Sequence, residues 1–191
     1  VTVRNGKVDI GQRISTTIAL LVADELDVDP ARIDVVRAET GVSPDEGMTS
    51  GSNSMVESGN AVRLAAATAR HHLLALAVGA LDVEPATLEV ADGQIRSRTT
   101  NRATSYWELA GGKPFGIPID AEAELKPPSE LRYSGRRMVA RDIEEIVTGK
   151  PHFVHDMKLP GIGHARVVRP PHYHARLRDL DAAVRARVAA D

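Results

Sequence analysis

Two stretches of the sequence carry residue types suited to holding an anionic or polar ligand. The first, Gly11-Gln12-Arg13, lies between a predicted strand and a predicted helix. Free amide N–H groups and the positive end of a helix dipole favour anions at such a junction, and glycine permits close approach. Gln12 adds an amide that both donates and accepts hydrogen bonds. By itself, the tripeptide favours the plainer interpretation of a strand–turn–helix with a solvated glutamine.

The second stretch is the loop Thr49-Ser50-Gly51-Ser52-Asn53-Ser54, directly before a long predicted helix. Successive small residues expose backbone amides and hydroxyls, as phosphate and pterin cradles do. The alternative is an ordinary flexible loop that ends in a Ser or Asn helix cap. Taken alone, the loop favours that alternative.

The histidines and acidic pairs give little support for a metal or hydrolytic site, and no metal ligand is predicted. His71 and His72 face different directions on one helix, and the later histidines lack His-Glu-x-x-His spacing: His152, His155, His164, His172 and His174. The adjacent pairs Asp24-Glu25 and Glu144-Glu145 point different ways, which is unlike a paired-carboxylate hydrolase. Neither a Gly-x-Ser-x-Gly elbow nor a Walker loop occurs.

Composition excludes several further classes of protein. The 191 residues include 24 Lys and Arg against 26 Asp and Glu, so the basic surplus of a nucleic-acid binder is missing. The absence of cysteine rules out thiolate zinc, cysteine-ligated iron–sulfur clusters and a cysteine nucleophile in this chain. It also fits a reducing cytosol, with the periplasm as the alternative location. Because no apolar run reaches 18 residues, no membrane span is expected.

The elements that must position the two stretches predict an α/β (α+β) unit over residues 1–100. Residues 2–10 predict a hairpin around Asn5-Gly6, and Asp92-Gly93 predicts a second one. Helical faces run over residues 14–26 and from about residue 57 to 81, with a strand at 33–36. The second helix is apolar most of the way round, which indicates burial on more than one side. We therefore expect a layered mixed sheet with two packed helices.

One connector occurs twice in this unit. Residues 26–35 return as residues 81–90, each copy where a helix ends and a strand begins. Asp29 and Glu84 each precede a proline, which suits a short capped turn.

The texture of the sequence changes after residue 100. Residues 101–130 predict a short helix that Ser105 opens with a capping box and Gly111-Gly112 stops, followed by a proline-rich linker. We place a domain boundary near residue 130. Residues 131–191 predict short strands between 153 and 171, then a helix near residues 180–185.

Six stretches in order resemble the molybdenum-cofactor-binding large subunit of the xanthine dehydrogenase and aldehyde oxidase family. They are residues 6–12, 23–28, 49–54, 105–110, 153–161 and 166–171. In the more familiar members a small α+β "hammerhead" domain precedes the Gly-Gln motif. Here the order is reversed, as in the isoquinoline 1-oxidoreductase beta-subunit type. The resemblance implies that residues 131–191 begin an incomplete hammerhead-like segment.

The resemblance also implies which residues meet the cofactor. The stretch with Gln12 would contact the molybdenum–pterin head, and Thr49, Gly51, Ser52 and Ser54 would bind the pterin and its phosphate. The cofactor would be molybdenum–molybdopterin, with the cytosine dinucleotide form as one option. It would be shared with the remainder of the large subunit, alongside an iron–sulfur small subunit and a small-molecule substrate.

Two departures from the family pattern matter. Gly usually follows the Gln, and here Arg13 stands there; its side chain points away, pairs with the cofactor phosphate or blocks close approach. The family's catalytic base is a Glu in a Gly-Val-Gly-Glu-like motif, which does not occur here, so no catalytic residue is expected in this chain.

The function we expect is therefore part of a molybdenum hydroxylase that acts on aldehydes or N-heterocycles, inactive as this chain alone. The alternative is a non-catalytic assembly module, for which Arg13 speaks. We also expect an incomplete polypeptide, the N-terminal portion of the subunit, whose last third packs poorly without another chain.

Overall fold

The computed structural model describes residues 1–150, 153–176 and 178–190. The chain forms two compact units, Val1–Thr148 and Gly149–Asp191. Helices and strands of the first unit are, in order, β1 (Thr2–Arg4), α1 (Ile14–Leu26), β2 (Asp34–Val36), α2 (Asn60–Leu81), β3 (Leu88–Ala91), β4 (Gln94–Ser97), β5 (Ala103–Ser105), α3 (Tyr106–Ala110) and α4 (Ile143–Val147).

The α+β class is confirmed, but the strands form two small sheets instead of one mixed sheet. Strand β1 pairs in parallel with β2, while β3, β4 and β5 form an antiparallel sheet. The predicted hairpin over residues 2–10 is therefore wrong. The reason is that Asn5 and Lys7 are buried, and Lys7 reaches residues 46–57 instead of pairing with β1.

Helices α1 and α2 form the centre of the core. Ile18, Ala19 and Ala23 of α1 are fully buried, and Ala77 of α2 is as well. Residues 62–74 of α2 are all buried or half-buried, which confirms the burial predicted for that part of the helix. In the last two turns, residues 75, 76, 79 and 80 are exposed.

The turns confirm the repeated connector and the second hairpin. Helices α1 and α2 end in left-handed Asp27 and Asp82, each with φ 51°, followed by 3₁₀ turns at Pro30–Arg32 and Pro85–Thr87. Asp92-Gly93 joins β3 to β4. The short helix α3 is capped as predicted, because Ser105 Oγ accepts from the Glu108 N–H at 3.2 Å.

The helical segment Ser54–Leu81 is long and apolar enough, by length and composition alone, to cross a membrane. Core helices of soluble proteins share this property. Here the segment packs on α1, and Arg63 and Arg70 bind the buried Glu25 carboxylate. The expectation of no membrane span stays a prediction.

The stretch predicted as a linker packs against α1 and α2. Asp24 Oδ1 accepts from the Arg132 and Tyr133 amides at 2.7 and 2.9 Å, and Asp24 Oδ2 accepts from the Ser134 amide at 2.9 Å. Glu25 Oε1 accepts from the Lys126 amide at 3.2 Å. The contacts of the chain divide it after Thr148, whereas the sequence placed a boundary near residue 130.

The second unit contains a 3₁₀ turn at Val154–Asp156 and helix α5 (Ala182–Ala189), which Asp181 caps. The helix predicted near residues 180–185 is confirmed. The strands predicted between 153 and 171 are wrong, since residues 153–171 form none. Every described residue from 153 to 190 is exposed, so an extended segment there has no neighbouring strand to pair with. Whether residues 131–191 begin a hammerhead domain stays a prediction.

Candidate functional site

The two ligand-suited stretches, far apart in sequence, meet in the structure. The Val8 N–H donates to Thr49 Oγ1 at 2.9 Å, and Gln12 Nε2 lies 3.5 Å from Ser54 Oγ. We call the surface formed by residues 8–13 and 49–54 the paired loops. Their meeting places Gln12, Thr49 and Ser54 at one site, as the sequence predicted for a cofactor contact.

Gln12 braces the first of the paired loops. Its Nε2 donates to the Val8 carbonyl at 2.9 Å, and its Oε1 accepts from the Ile10 N–H at 2.7 Å. The residue is nevertheless exposed. Its amide thus fixes the turn and still faces solvent, where a ligand can reach it.

The amino end of α1 already holds a carboxylate. Asp9 Oδ1 accepts from the amides of Gly11 and Arg13, both at 3.1 Å, and Asp9 Oδ2 accepts from Ser15 Oγ at 3.2 Å. An internal acid at the positive end of the helix is favourable. The anion position that the sequence offered to a ligand is therefore shared with Asp9, which the sequence analysis missed.

Arg13 has a backbone conformation that explains why glycine is expected there. Its φ of 60° lies in the left-handed region, which costs a residue with a Cβ about 1–2 kcal/mol. The side chain pairs with Asp142, with Nη1–carboxylate distances of 3.0 and 3.2 Å. The guanidinium therefore neither points away nor stands free for a phosphate.

The second of the paired loops presents free hydroxyls. Gly51 and Ser52 both have left-handed backbones, with φ 62° and 61°. The loop closes through the Asn53 N–H, which donates to the Ser50 carbonyl at 3.2 Å. The exposed hydroxyls of Ser50 and Ser52 make no hydrogen bond to any described residue. A π-helical turn, Ser54–Gly59, then leads into α2.

Lys7 fixes this second loop, and sequence reasoning missed it. Its side chain is 1% exposed, and Nζ donates to the Glu46 carbonyl at 2.6 Å and to Glu57 Oε2 at 2.7 Å. The preceding Gly6 packs so closely that a Cβ would lie 2.2 Å from the Pro44 carbonyl oxygen. The signal was hidden because Asn5-Gly6 is typical of a hairpin turn.

Large apolar side chains surround the paired loops. They are all at least 40% exposed and comprise Val8, Ile10, Met48, Met55 and Val56. An apolar cluster of this kind around a polar centre marks a surface that is covered by a ligand or by more polypeptide.

Residues 1–142 match the sequence profile of the molybdopterin cofactor-binding domain. The chain belongs to this family. The matched region contains both paired loops and the Arg13–Asp142 pair.

The chain is also similar to components of known dehydrogenases. It is 38% identical over 168 residues to a subunit of the nicotinate dehydrogenase of Pseudomonas putida, which covers 88% of this chain and 14% of that protein. It is 34% identical over 128 residues to the gamma subunit of the 6-hydroxypseudooxynicotine dehydrogenase complex of Paenarthrobacter nicotinovorans, covering 67% of this chain and 16% of that protein.

A solved structure shares the fold. The reconstituted CO dehydrogenase from Oligotropha carboxidovorans is 26% identical, with a TM-score of 0.50, over 62% of this chain and 15% of that chain. The chain thus spans only about one-seventh of the length of such relatives.

The residues of the paired loops fit the neutral, polar edge of molybdopterin. The Ser50 and Ser52 hydroxyls lack partners in the described part of the chain, and the space beyond Gly11 is open. A phosphate fits less well at the end of α1, because Asp9 and Asp142 already engage its donors. Within the described ranges, no group of three or more His, Asp or Glu could hold a metal ion; His152 lies outside the described residues.

Proposed function

We propose that this molybdopterin cofactor-binding domain forms one wall of the cofactor site in the large subunit of a molybdenum hydroxylase, an oxidoreductase. The observation that carries the proposal is the meeting of the paired loops inside the family-matched region. Both loops expose neutral donors and acceptors there, which suit a pterin edge.

Gln12, Thr49, Gly51, Ser52 and Ser54 would hold the cofactor in this proposal. The Ser52 and Ser54 hydroxyls and the Gly51 amide would bind its polar edge, while Gln12 would meet the head group. The bound molybdenum cofactor supplies two-electron redox chemistry, which protein side chains alone do not offer. Arg13 would reach the cofactor phosphate only after release from Asp142.

The partners follow from the surface around the site. The exposed apolar residues beside the paired loops would be covered by the remainder of the large subunit. Electrons would leave through an iron–sulfur small subunit, since this chain has no cysteine to ligate a cluster.

We further propose the isoquinoline 1-oxidoreductase branch, the cytosine dinucleotide form of the cofactor, a cytoplasmic location and an aldehyde or N-heterocycle as substrate. Motif order supports the branch. The similarity to a nicotinate dehydrogenase component supports an N-heterocycle, since nicotinate is one.

A second candidate is a non-catalytic assembly module of such a complex. The Asp9 and Asp142 carboxylates favour it, because they occupy donors at the end of α1 that a phosphate would otherwise use.

Molybdenum and pterin analysis of the purified native assembly that contains this chain separates the two candidates. We expect stoichiometric molybdenum in the assembly, turnover of an aldehyde or N-heterocycle with an artificial electron acceptor, and neither property in the isolated chain. An assembly that contains this chain but no molybdenum would favour the assembly module.

A further inference from the structure

A second concave site lies away from the paired loops, beside the carboxyl end of α1. It is a cavity of about 530 Å³, bounded by α2, by β3 and by residues 126–136. Small-molecule sites in proteins span roughly 300–1,000 Å³, so this volume is sufficient for a small organic ligand.

One part of the cavity wall is apolar. Leu74, Leu88, Val90 and Leu131 line it, and each of them is half-buried. Such a surface gains free energy when it is covered by the hydrocarbon body of a ligand.

The rest of the wall carries excess positive charge. Four cationic residues line it, Arg70, Lys126, Arg132 and Arg136, against the two acids Asp27 and Glu130. Asp27 is engaged twice, by Lys126 Nζ at 2.5 Å and by Arg132 Nη2 at 3.6 Å. Its negative charge is thus spent on cations of the same wall.

Arg136 is the cation with spare capacity. Its guanidinium forms no ion pair or side-chain hydrogen bond with any residue in the described part of the chain. A free guanidinium presents a planar fork that matches the two oxygens of a carboxylate.

We propose that this cavity binds an organic carboxylate with an apolar body. The carboxylate meets Arg136 and the exposed side of Arg132, and the hydrocarbon body lies on the leucine and valine wall. This site is separate from the paired loops, and the proposal does not rest on molybdopterin binding. An acidic segment of another polypeptide shares the charge but needs no enclosed volume for a ring, so the small acid is the better fit.

Titration calorimetry of the full chain with benzoate tests the proposal, with benzyl alcohol as the neutral comparator. We expect saturable one-site benzoate binding and at least severalfold weaker binding of the alcohol. Arg136→Gln should weaken benzoate binding about three- to tenfold, because one exposed charged contact is lost. Arg137→Gln is the matched control, since Arg137 is an exposed neighbour that does not line the cavity.

Three results would overturn the proposal. They are the absence of saturable benzoate binding, equal affinity for benzyl alcohol, and equal weakening by Arg136→Gln and Arg137→Gln. Binding of an acidic peptide at this cavity while benzoate fails would also overturn it. None of these results bears on molybdenum content, so the proposed function is tested independently.

Discussion

At the scale of single residues, Arg13 shows how a departure from a family pattern is accommodated. Its backbone keeps the left-handed conformation that suits glycine, and its side chain gains an ion pair with Asp142. Both members of the pair are partly exposed, so the pair offsets only part of the backbone cost.

The comparison of Arg13→Gly with Arg13→Ala tests this balance. Both variants lose the ion pair, but only alanine retains the cost of a Cβ at positive φ. Arg13→Gly should therefore be more stable than Arg13→Ala by about 1 kcal/mol in urea unfolding. At Arg4, in the extended strand β1, the order should be reversed. The same order at both positions would contradict the account.

Lys7 is the buried cation on which the second of the paired loops depends. Lys7→Met should lower the free energy of unfolding by about 1–3 kcal/mol, because the Glu46 carbonyl and the half-exposed Glu57 carboxylate lose their donor. Lys113→Met, at an exposed position, is the control. Equal unfolding free energies for the two variants would show that Lys7 does not fix the loop.

At the scale of elements, the carboxyl end of α1 organises the segment that follows α3. The sequence correctly indicated that Asp24 and Glu25 point different ways, since Asp24 binds three amides of residues 132–134 and Glu25 binds Arg63 and Arg70. What these acids hold was not predictable, because the partners lie about a hundred residues away and no local pattern marks them.

Asp24 makes the stability of this contact depend on pH. Burial alone would raise the pKa of Asp24, but hydrogen bonds from Ser134, Tyr133 and Arg132 together hold the pKa below its usual value. A carboxyl group with a lowered folded-state pKa stabilises fully above its unfolded pKa, about 3.9, and this contribution is lost as the pH falls through the folded pKa.

Asp24→Asn should therefore destabilise the protein most near neutral pH. The difference in unfolding free energy between wild type and variant should shrink below about pH 4, as Asp24 becomes protonated in the wild type. Denaturant unfolding from pH 7 to pH 3 measures it. A difference that stays constant over this range would contradict the assigned role of the charge.

Local signals explain which elements could be predicted. Helices α1 and α2, the capped α3 and the hairpin at Asp92-Gly93 follow from apolar periodicity, a capping box and a turn dipeptide. The first hairpin failed because the same kind of dipeptide, Asn5-Gly6, here serves close packing against Pro44. Parallel pairing of β1 with β2 is a non-local contact that the turn rule cannot reveal.

At the scale of the whole molecule, the core lies entirely in the first unit. The buried hydrophobic cluster runs from Ile14 to Tyr106, with Phe115 and Tyr133 packed against it. The described residues of the second unit are all exposed. Residues 1–148 should therefore carry the cooperative unfolding of the chain.

Removal of residues 149–191 tests this division. The shortened chain should unfold in urea with the same midpoint as the full chain, because no core residue is lost. Thermal and urea midpoints compared side by side provide the measurement. A clearly lower midpoint would show that the second unit stabilises the first.

The candidate site was predictable in its parts but not in its wiring. Gln12, Thr49 and Ser54 were singled out from residue type and motif resemblance, and the structure brings them together. Their contact with a cofactor stays a prediction. Asp9, Lys7 and Asp142 were missed, because each acts through a tertiary contact or a cap that its own residue type does not announce.

The molybdenum and pterin content of the complete assembly carrying Gln12→Ala tests the central claim most directly. Gln94→Ala, at an exposed glutamine on β4, is the matched control. Loss of the Gln12 amide leaves a buried polar group of the bound cofactor unpaired, at a cost of about 1–3 kcal/mol. We predict clearly lower molybdenum and pterin content for Gln12→Ala and wild-type content for Gln94→Ala. Wild-type molybdenum content and turnover in Gln12→Ala would contradict the assignment of the paired loops as a cofactor wall.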